Sequence, residues 1–545
     1  HSSEKLSSTG LNSKGIHKLL KELLTQIKGK IDETLSDDIL SRLMLPNKEV
    51  ALFNIHNPSS LKSLERAQKR LKFEELFFLQ FHLLKMKLSR IKKFKGFVFE
   101  SVNKNFNTYY NQTLQFELTN AQKKVLKEIR LDVKKGAQMN RLLQGDVGSG
   151  KTIVSLLSAY NTINSGFQVS LMAPTEILAR QHYESFKKEF DNIQISCTLL
   201  IGKQKDSDRK PILEGLKNGK ISIAVGTHAL IQKNIHFSNL CLVIIDEQHR
   251  FGVNQRNDLL KKGKNPHFLS MTATPIPRTL AITFHGDMDL SIIDELPLNR
   301  VPIKTKIVDP HRLGKVYSFI REEVKYGRQC IIVYPLIEES EKSDLNAAVE
   351  AFDRLAEQEF SKLKVGLLHG KMKSEEKDSI IKNFSQNKIK ILVSTTVVEV
   401  GLDIPNASVM LIEHAERFGL TQLHQLRGRV GRGSEKSYCI LVKRELSEAS
   451  QNRLTIMEKT SNGFDIADED LKLRGPGDML GPKQSGFFQY KIANLVTDKV
   501  IIKEARKVAF NMIDKDPNLQ SDCHKLLKEN FIKNYSHYLD DLKLI

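Results

Sequence analysis

A glycine, four residues, then Gly-Lys-Thr is the spacing of Gly145-Asp146-Val147-Gly148-Ser149-Gly150-Lys151-Thr152. Glycines at such positions let successive backbone amides turn inward on phosphate oxygens, a lysine neutralises charge there, and a threonine hydroxyl can hold Mg²⁺. Gly145, Gly148, Gly150, Lys151 and Thr152 are therefore predicted to bind a nucleoside triphosphate. A second cluster, Leu242-Val243-Ile244-Ile245-Asp246-Glu247-Gln248-His249, puts two carboxylates where an apolar strand emerges. Asp246 is placed to hold Mg²⁺ with Thr152, and Glu247 to orient and deprotonate an attacking water. Alone, such an acidic pair is often only a turn. Behind the glycine-rich loop it completes the contacts that in-line phosphoryl transfer needs.

The elements that must position these groups are legible around them. Arg141-Leu142-Leu143-Gln144 reads as a buried strand entering the loop, and Ile153 to Ala159 as a helix leaving it. Two blocks alternate strands with helices. The block at 111–300 has strands at Leu142-Leu143, Val169–Met172, Ile221–Val225, Leu242–Ile245 and Phe268–Met271; the block at 301–443 has Cys330–Val333, Val365–Leu368, Ile389–Val393, Val409–Ile412 and Cys439–Val442. Near-continuous apolar strands between helices imply an α/β fold of two tandem parallel sheets, each covered on both faces, with a cleft between them. Residues 60–95 read as a long basic amphipathic helix after Pro58, a scaffold packed on the next domain. The tail 444–545 reads as helical, interrupted by a Gly/Pro segment at Arg474-Gly475-Pro476-Gly477.

Composition narrows the partner. At 545 residues the chain should split into about three or four domains. A net charge of +20 and a pI near 9.4 favour a polyanion, nucleic acid above all. No apolar run reaches the roughly 18 residues needed to span a bilayer, and no signal-peptide core opens the chain. A cytoplasmic protein without membrane contact is expected. Five scattered cysteines without a Cys-x-x-Cys pair give neither a disulfide framework nor a zinc site. A chain that opens on His1, with a Ser-, Gly- and Lys-rich start, reads as a piece of a longer one.

Asp246-Glu247-x-His249 is similar to the signature of superfamily 2 helicases and translocases, and further motifs extend the resemblance. Phe116 to Gln122 resembles the adenine-reading motif, which implies a base contact for Gln122. Ala173-Pro174-Thr175-Glu176 to Gln181 and Val225-Gly226-Thr227-His228 resemble the DNA-backbone motifs of the first domain; as isolated sequence they are equally plain helix caps. Thr272-Ala273-Thr274-Pro275 resembles the motif coupling hydrolysis to movement, which implies coupling roles for His249, Thr272 and Thr274. Ser394 to Asp403 resembles the motif joining DNA to nucleotide, with Asp403 a ribose or interdomain contact. Gln425-Leu426-Arg427-Gly428-Arg429-Val430-Gly431-Arg432 resembles the arginine motif, so that Arg429 and Arg432 would reach across the cleft to the γ-phosphate. The resemblance implies two RecA-like motor domains using ATP and Mg²⁺.

The stretches Asp246 to Val253, Thr272 to Ala281 and Glu416 to His424 narrow the resemblance to the RecG family of branched-DNA helicases. Ser149 and His249 favour it over the related transcription-repair coupling translocases. Arg453, Gly463 to Ala467, Leu473 to Asp478 and Gln484-Ser485-Gly486 resemble the translocation motif shared by both families, in which Arg453, Arg474 and Gln484 would carry cleft closure to DNA. The implied layout is a wedge remnant at 1–50, a helical linker at 51–110, motor domains at 111–300 and 301–443, and a hairpin and tail at 444–545. The wedge of that family includes a five-stranded barrel, which residues 1–50 are too few to form, so weakened fork preference is expected. The family further implies forks and Holliday junctions as substrates in recombination and repair, a single-strand-binding protein as partner, a monomer, and a bacterial cytoplasm. A transcription-repair coupling motor and a non-enzymatic branched-DNA scaffold stay open as alternatives.

Overall fold

The computed structural model describes residues 12–535 apart from 100–103, 115, 203, 275, 278, 279, 282, 284, 285, 298, 299, 336–340, 397–403, 434, 445, 446 and 481–489. The chain divides into two compact units, one made of 94–277 with 288–473, the other of 1–93, 278–287 and 474–545.

The larger unit holds two parallel sheets. The first contains β1 (Asn140–Gly145), β2 (Gln168–Met172), β3 (Cys197–Leu200), β4 (Ile223–Gly226), β5 (Leu240–Asp246), β6 (His267–Thr272) and β7 (Asp289–Ile293), in the order β3-β4-β2-β5-β6-β1-β7. The second contains β8 (Lys304–Val308), β9 (Gln329–Val333), β10 (Val365–Leu368), β11 (Ile391–Ser394), β12 (Ala407–Ile412) and β13 (Tyr438–Val442), in the order β10-β11-β9-β12-β13-β8. Every pairing is parallel, as the apolar strands and intervening helices imply. Helices cover both faces: Val154, Leu157 and Phe186 lie on one side of the first sheet with Leu143 and Ile244, while Leu230 and Leu259 lie on the other with Leu142 and Ile245.

Register sets the site. Gln144 of β1 pairs with Thr272 of β6, and Asp246 of β5 with Met271, so the last residues of three adjacent strands end at one level. Ligands of open α/β sheets bind at this carboxyl edge.

The other unit is helical. Its Leu61–Lys93 helix has 33 residues, about 50 Å at 1.5 Å per residue. The amphipathic expectation fails at its centre, where residues 76–82 are all buried. Such a helix must be covered on every side. It packs on Lys499–Lys515 and Lys48–His56, so its main partner comes from the far end of the chain. Phe77 stacks on Phe73 and Phe81 at ring distances of 5.8 and 6.0 Å, and Phe81 meets Phe531 edge-on at 5.1 Å. The Glu75 carboxylate accepts the backbone amides of Lys491, Ile492 and Ala493.

A second correction concerns the tail. The helix Gly463–Leu480 runs straight through Arg474-Gly475-Pro476-Gly477 instead of being interrupted there. Pro476 removes one amide donor, a loss the helix tolerates here without ending. No helix among the described residues is long and apolar enough to cross a membrane.

Candidate active site

The glycine-rich loop leaves β1 and feeds the Lys151–Asn164 helix. Gly148 and Gly150 take φ of +78° and +87°, a region side chains resist, which is why glycine stands at both. Lys151 Nζ is buried at the floor of the loop and donates to the carbonyls of Gly145 and Asp146, each at 2.8 Å. Burial lowers its pKa, opposed by the charges of Glu247, Asp246 and Asp146. Thr152 is the second residue of the Lys151–Asn164 helix. Gln122 caps its own helix by accepting from the Thr119 amide at 2.9 Å, and its Nε2 donates to the Ser149 carbonyl at 2.8 Å. Its amide therefore braces the loop, leaving one hydrogen and one lone pair for any other contact.

Asp246 closes β5 and is buried. Burial pushes its carboxyl up, yet a 2.7 Å hydrogen bond with His182 Nε2, the charges of His182 and Lys151 and the Glu247 amide together hold it below the usual carboxylate range. A carboxylate that keeps its charge when buried suits a hard cation, and oxygen donors from Asp246 and Thr152 are the set that magnesium prefers. Glu247 sits in the left-handed region at φ +50°, its carboxylate accepting from Thr272 Oγ1 and the Ala273 amide at 3.3 Å each. Burial and the neighbouring Asp246 push its pKa up, the direction a general base at neutral pH requires. Thr272 and Thr274 share a 2.6 Å hydroxyl contact beside it, and His249 Nδ1 lies 3.7 Å from the same carboxylate.

The second sheet supplies the remaining charge from the same compact unit. Arg429 is buried and its charge acts on Glu247; the charge of Arg432 acts on Lys151. Gly428 backs onto the loop so closely that a Cβ there would stand 2.7 Å from that of Val147. Arg453 ties the Glu448–Lys459 helix to the carbonyls of Phe418 and Glu416 at 3.2 and 3.1 Å. Arg474 falls within the Gly463–Leu480 helix, while Asp403 and Gln484 lie outside the described residues.

Three residues at this site escaped the sequence reading. His182 occupies the buried face of the Glu176–Asp191 helix with Leu178, Ala179 and Phe186, a polar residue in an apolar stripe and thus a detectable signal. His424 bonds Asp146 of the loop across the cleft, and nothing local announces that. Arg300, ahead of β8, donates to the Val147 carbonyl, again a contact only the fold creates.

Comparison with known proteins shows the family. DEAD/DEAH box helicases match residues 119–282, the helicase conserved C-terminal domain matches 312–434, and the C-terminal part of domain 3 of the ATP-dependent DNA helicase RecG matches 460–535. The ATP-dependent DNA helicase RecG of Bacillus subtilis is 44% identical over 525 residues, covering 96% of this chain and 76% of that protein. The chain belongs to the RecG family. The RecG proteins of Synechocystis and Thermotoga maritima are 46% and 45% identical, and the chain spans 63% and 64% of their lengths, a little under two thirds. A solved structure of RecG bound to a three-way DNA junction superposes with a TM-score of 0.69 at 43% identity, covering 91% of this chain and 65% of that one.

Proposed function

We propose that this RecG-family chain is the motor of an ATP-driven double-stranded DNA translocase acting on branched DNA, with fork regression and Holliday-junction branch migration as its tasks in recombination and repair. The observation that carries the reading is the close approach of the second sheet's Gly428–Arg432 turn to the phosphate loop, where a Cβ on Gly428 would stand 2.7 Å from that of Val147 and His424 bonds Asp146. Two charge clusters on separate sheets form one site only when the sheets meet, which is how a motor ties a chemical step to movement.

In this reading Lys151 and the loop amides hold the triphosphate, and Glu247 accepts the proton of the attacking water. Arg429 and Arg432 stabilise charge developing on the γ-phosphate. Asp246 and Thr152 would hold Mg²⁺, which neutralises phosphate charge when bound. Glu247 leans on Thr272 and Ala273, so a change at its carboxylate is felt in the segment that follows β6. Arg453, Arg474 and Gln484 are proposed to pass the motion to DNA, and Asp403 to contact the ribose. The net charge of +20 suits backbone-dominated, salt-sensitive binding. A monomer in the bacterial cytoplasm, working beside single-strand-binding protein, completes the proposal.

The test is ATP hydrolysis with and without duplex and junction DNA. Hydrolysis should be DNA-stimulated and vanish in Lys151→Ala while DNA binding persists. Turnover unaffected by any DNA, or retained without Lys151, overturns the reading.

A further inference from the structure

The phosphate loop carries a charged side chain that the phosphate chemistry leaves unused. Asp146 follows the first glycine, and both of its oxygens are engaged. Oδ1 accepts from the Val147 amide at 2.6 Å and from His424 Nε2, while Oδ2 accepts from the Gly463 amide at 3.1 Å. His424 and Gly463 belong to the far side of the cleft, on the Leu420–Arg427 helix and at the first residue of the Gly463–Leu480 helix. The other ring nitrogen of His424 meets Arg427 Nη2 at 3.0 Å. A guanidinium has donors only, so Nδ1 of His424 must accept and Nε2 must carry the hydrogen given to Asp146. The two Nη atoms of Arg427 also donate to the carbonyls of Met457 and Thr460, both at 2.9 Å, and of Ser461 at 3.2 Å. These carbonyls belong to the end of the Glu448–Lys459 helix and the turn that joins it to Gly463–Leu480. The imidazole, Asp146 and Arg427 are all largely withdrawn from solvent.

We propose that His424 is a positioning residue with two arms: through Asp146 it fixes how the Gly428–Arg432 turn is presented to the nucleotide, and through Arg427 it passes the loop's position to the helical hairpin. The inference rests on the ATP-driven translocase reading. The two arms leave by different ring atoms, so they separate chemically. Asparagine places its amide near the Nδ1 position and keeps the acceptor for Arg427; glutamine reaches the Nε2 position and keeps the donor to Asp146.

The experiment measures three quantities in His424→Asn and His424→Gln: affinity for a fluorescent ADP analogue, DNA-stimulated kcat, and displacement of a third strand from a DNA triplex per ATP hydrolysed. His424→Asn should lose kcat by about tenfold or more, the size typical of a lost positioning contact, with analogue affinity within about twofold. His424→Gln should hold kcat within about threefold, while displacement per ATP falls by about tenfold. Two variants that behave alike, both near wild type or both equally impaired, overturn the proposal, because a merely structural histidine has no reason to divide by ring atom. If the parent chain shows no DNA-stimulated hydrolysis, it is the translocase reading that fails. The clamp is then judged on thermal unfolding of Asp146→Ala, His424→Ala and the double variant: non-additive losses support the contact and additive ones overturn it.

Discussion

His182 Nε2 stands 2.7 Å from Asp246 Oδ2, and both side chains are buried. The histidine comes from the helix that begins at Thr175, the carboxylate from the end of β5, so a helix of the first sheet's cover orients the one carboxylate suited to the metal. Removing this contact should leave Asp246 free to rotate without removing it. We predict that His182→Ala raises the Mg²⁺ concentration for half-maximal ATP hydrolysis by about 10- to 100-fold, and that His182→Gln, whose amide reaches the same point, recovers part of it. Mg²⁺ titrations of both variants check this. An unchanged requirement would show that Asp246 is held by the strand end alone.

A Cβ at Gly428 would lie 2.7 Å from the Cβ of Val147 and 2.8 Å from its Cγ1. The clash is with the root of a side chain, which no rotamer relieves. Gly428→Ala should therefore push the arginine turn off the phosphate loop, cutting DNA-stimulated kcat by about tenfold or more while nucleotide affinity holds. Pairing it with Val147→Gly removes the opposing atoms, and kcat should climb back. Stopped-flow nucleotide binding alongside steady-state turnover separates the two effects.

How much of this was readable beforehand follows from burial. The strands found from sequence include the central ones of both sheets, β1, β2, β5, β6, β9 and β12, whose apolar runs answer to cover on both faces. The strands missed, β3, β7 and β8, are all edges. Asp289-Leu290-Ser291-Ile292-Ile293 and Lys304-Thr305-Lys306-Ile307-Val308 carry polar residues because an edge is only partly covered, so their pattern resembles a loop. The same divide runs through the site. Lys151, Asp246 and Arg429 stand in motifs whose spacing is local. The partners of His424 and Arg300 lie 278 and 153 positions away, and no local pattern carries such a pairing.

Arg70 anchors the helical unit through charge rather than through packing alone. Its guanidinium is fully buried, bonded to Glu33 and Thr34 and, at 2.6 Å, to Glu74. The two carboxylates keep partial solvent contact, with 21% and 13% exposure. Arg70→Ala would leave Glu33 without its cation, while Glu74 keeps Lys48 Nζ at 3.0 Å, at a cost of about 3 kcal/mol. Faster amide exchange along the Leu61–Lys93 helix, and along the 33–35 segment that Glu33 caps, would report the loss. Arg70→Met with Glu33→Gln should recover much of it, since apolar contact and a neutral amide remove the uncompensated charge while Glu74 keeps Lys48.

His267 makes the fold sensitive to mild acid. It opens β6, is wholly buried, accepts from the Met139 amide at Nδ1 at 3.0 Å and meets the Phe97 carbonyl with Nε2 at 2.9 Å. Protonating Nδ1 would turn that acceptor into a donor facing a donor. Burial accordingly pushes the pKa down to about 4 from an ordinary 6.5. The unfolded chain binds this proton first, so between those values it holds more protons than the folded chain, and stability must fall as pH falls. The slope is about 1.4 kcal/mol per pH unit, and about 3 kcal/mol across the window. In His267→Asn, which keeps an acceptor for Met139 but cannot titrate, stability at pH 7.5 should be lower and the gap to the parent chain should close between pH 6.5 and 4. Urea midpoints at half-unit pH steps measure it, and a gap constant with pH would move the acid sensitivity to other groups.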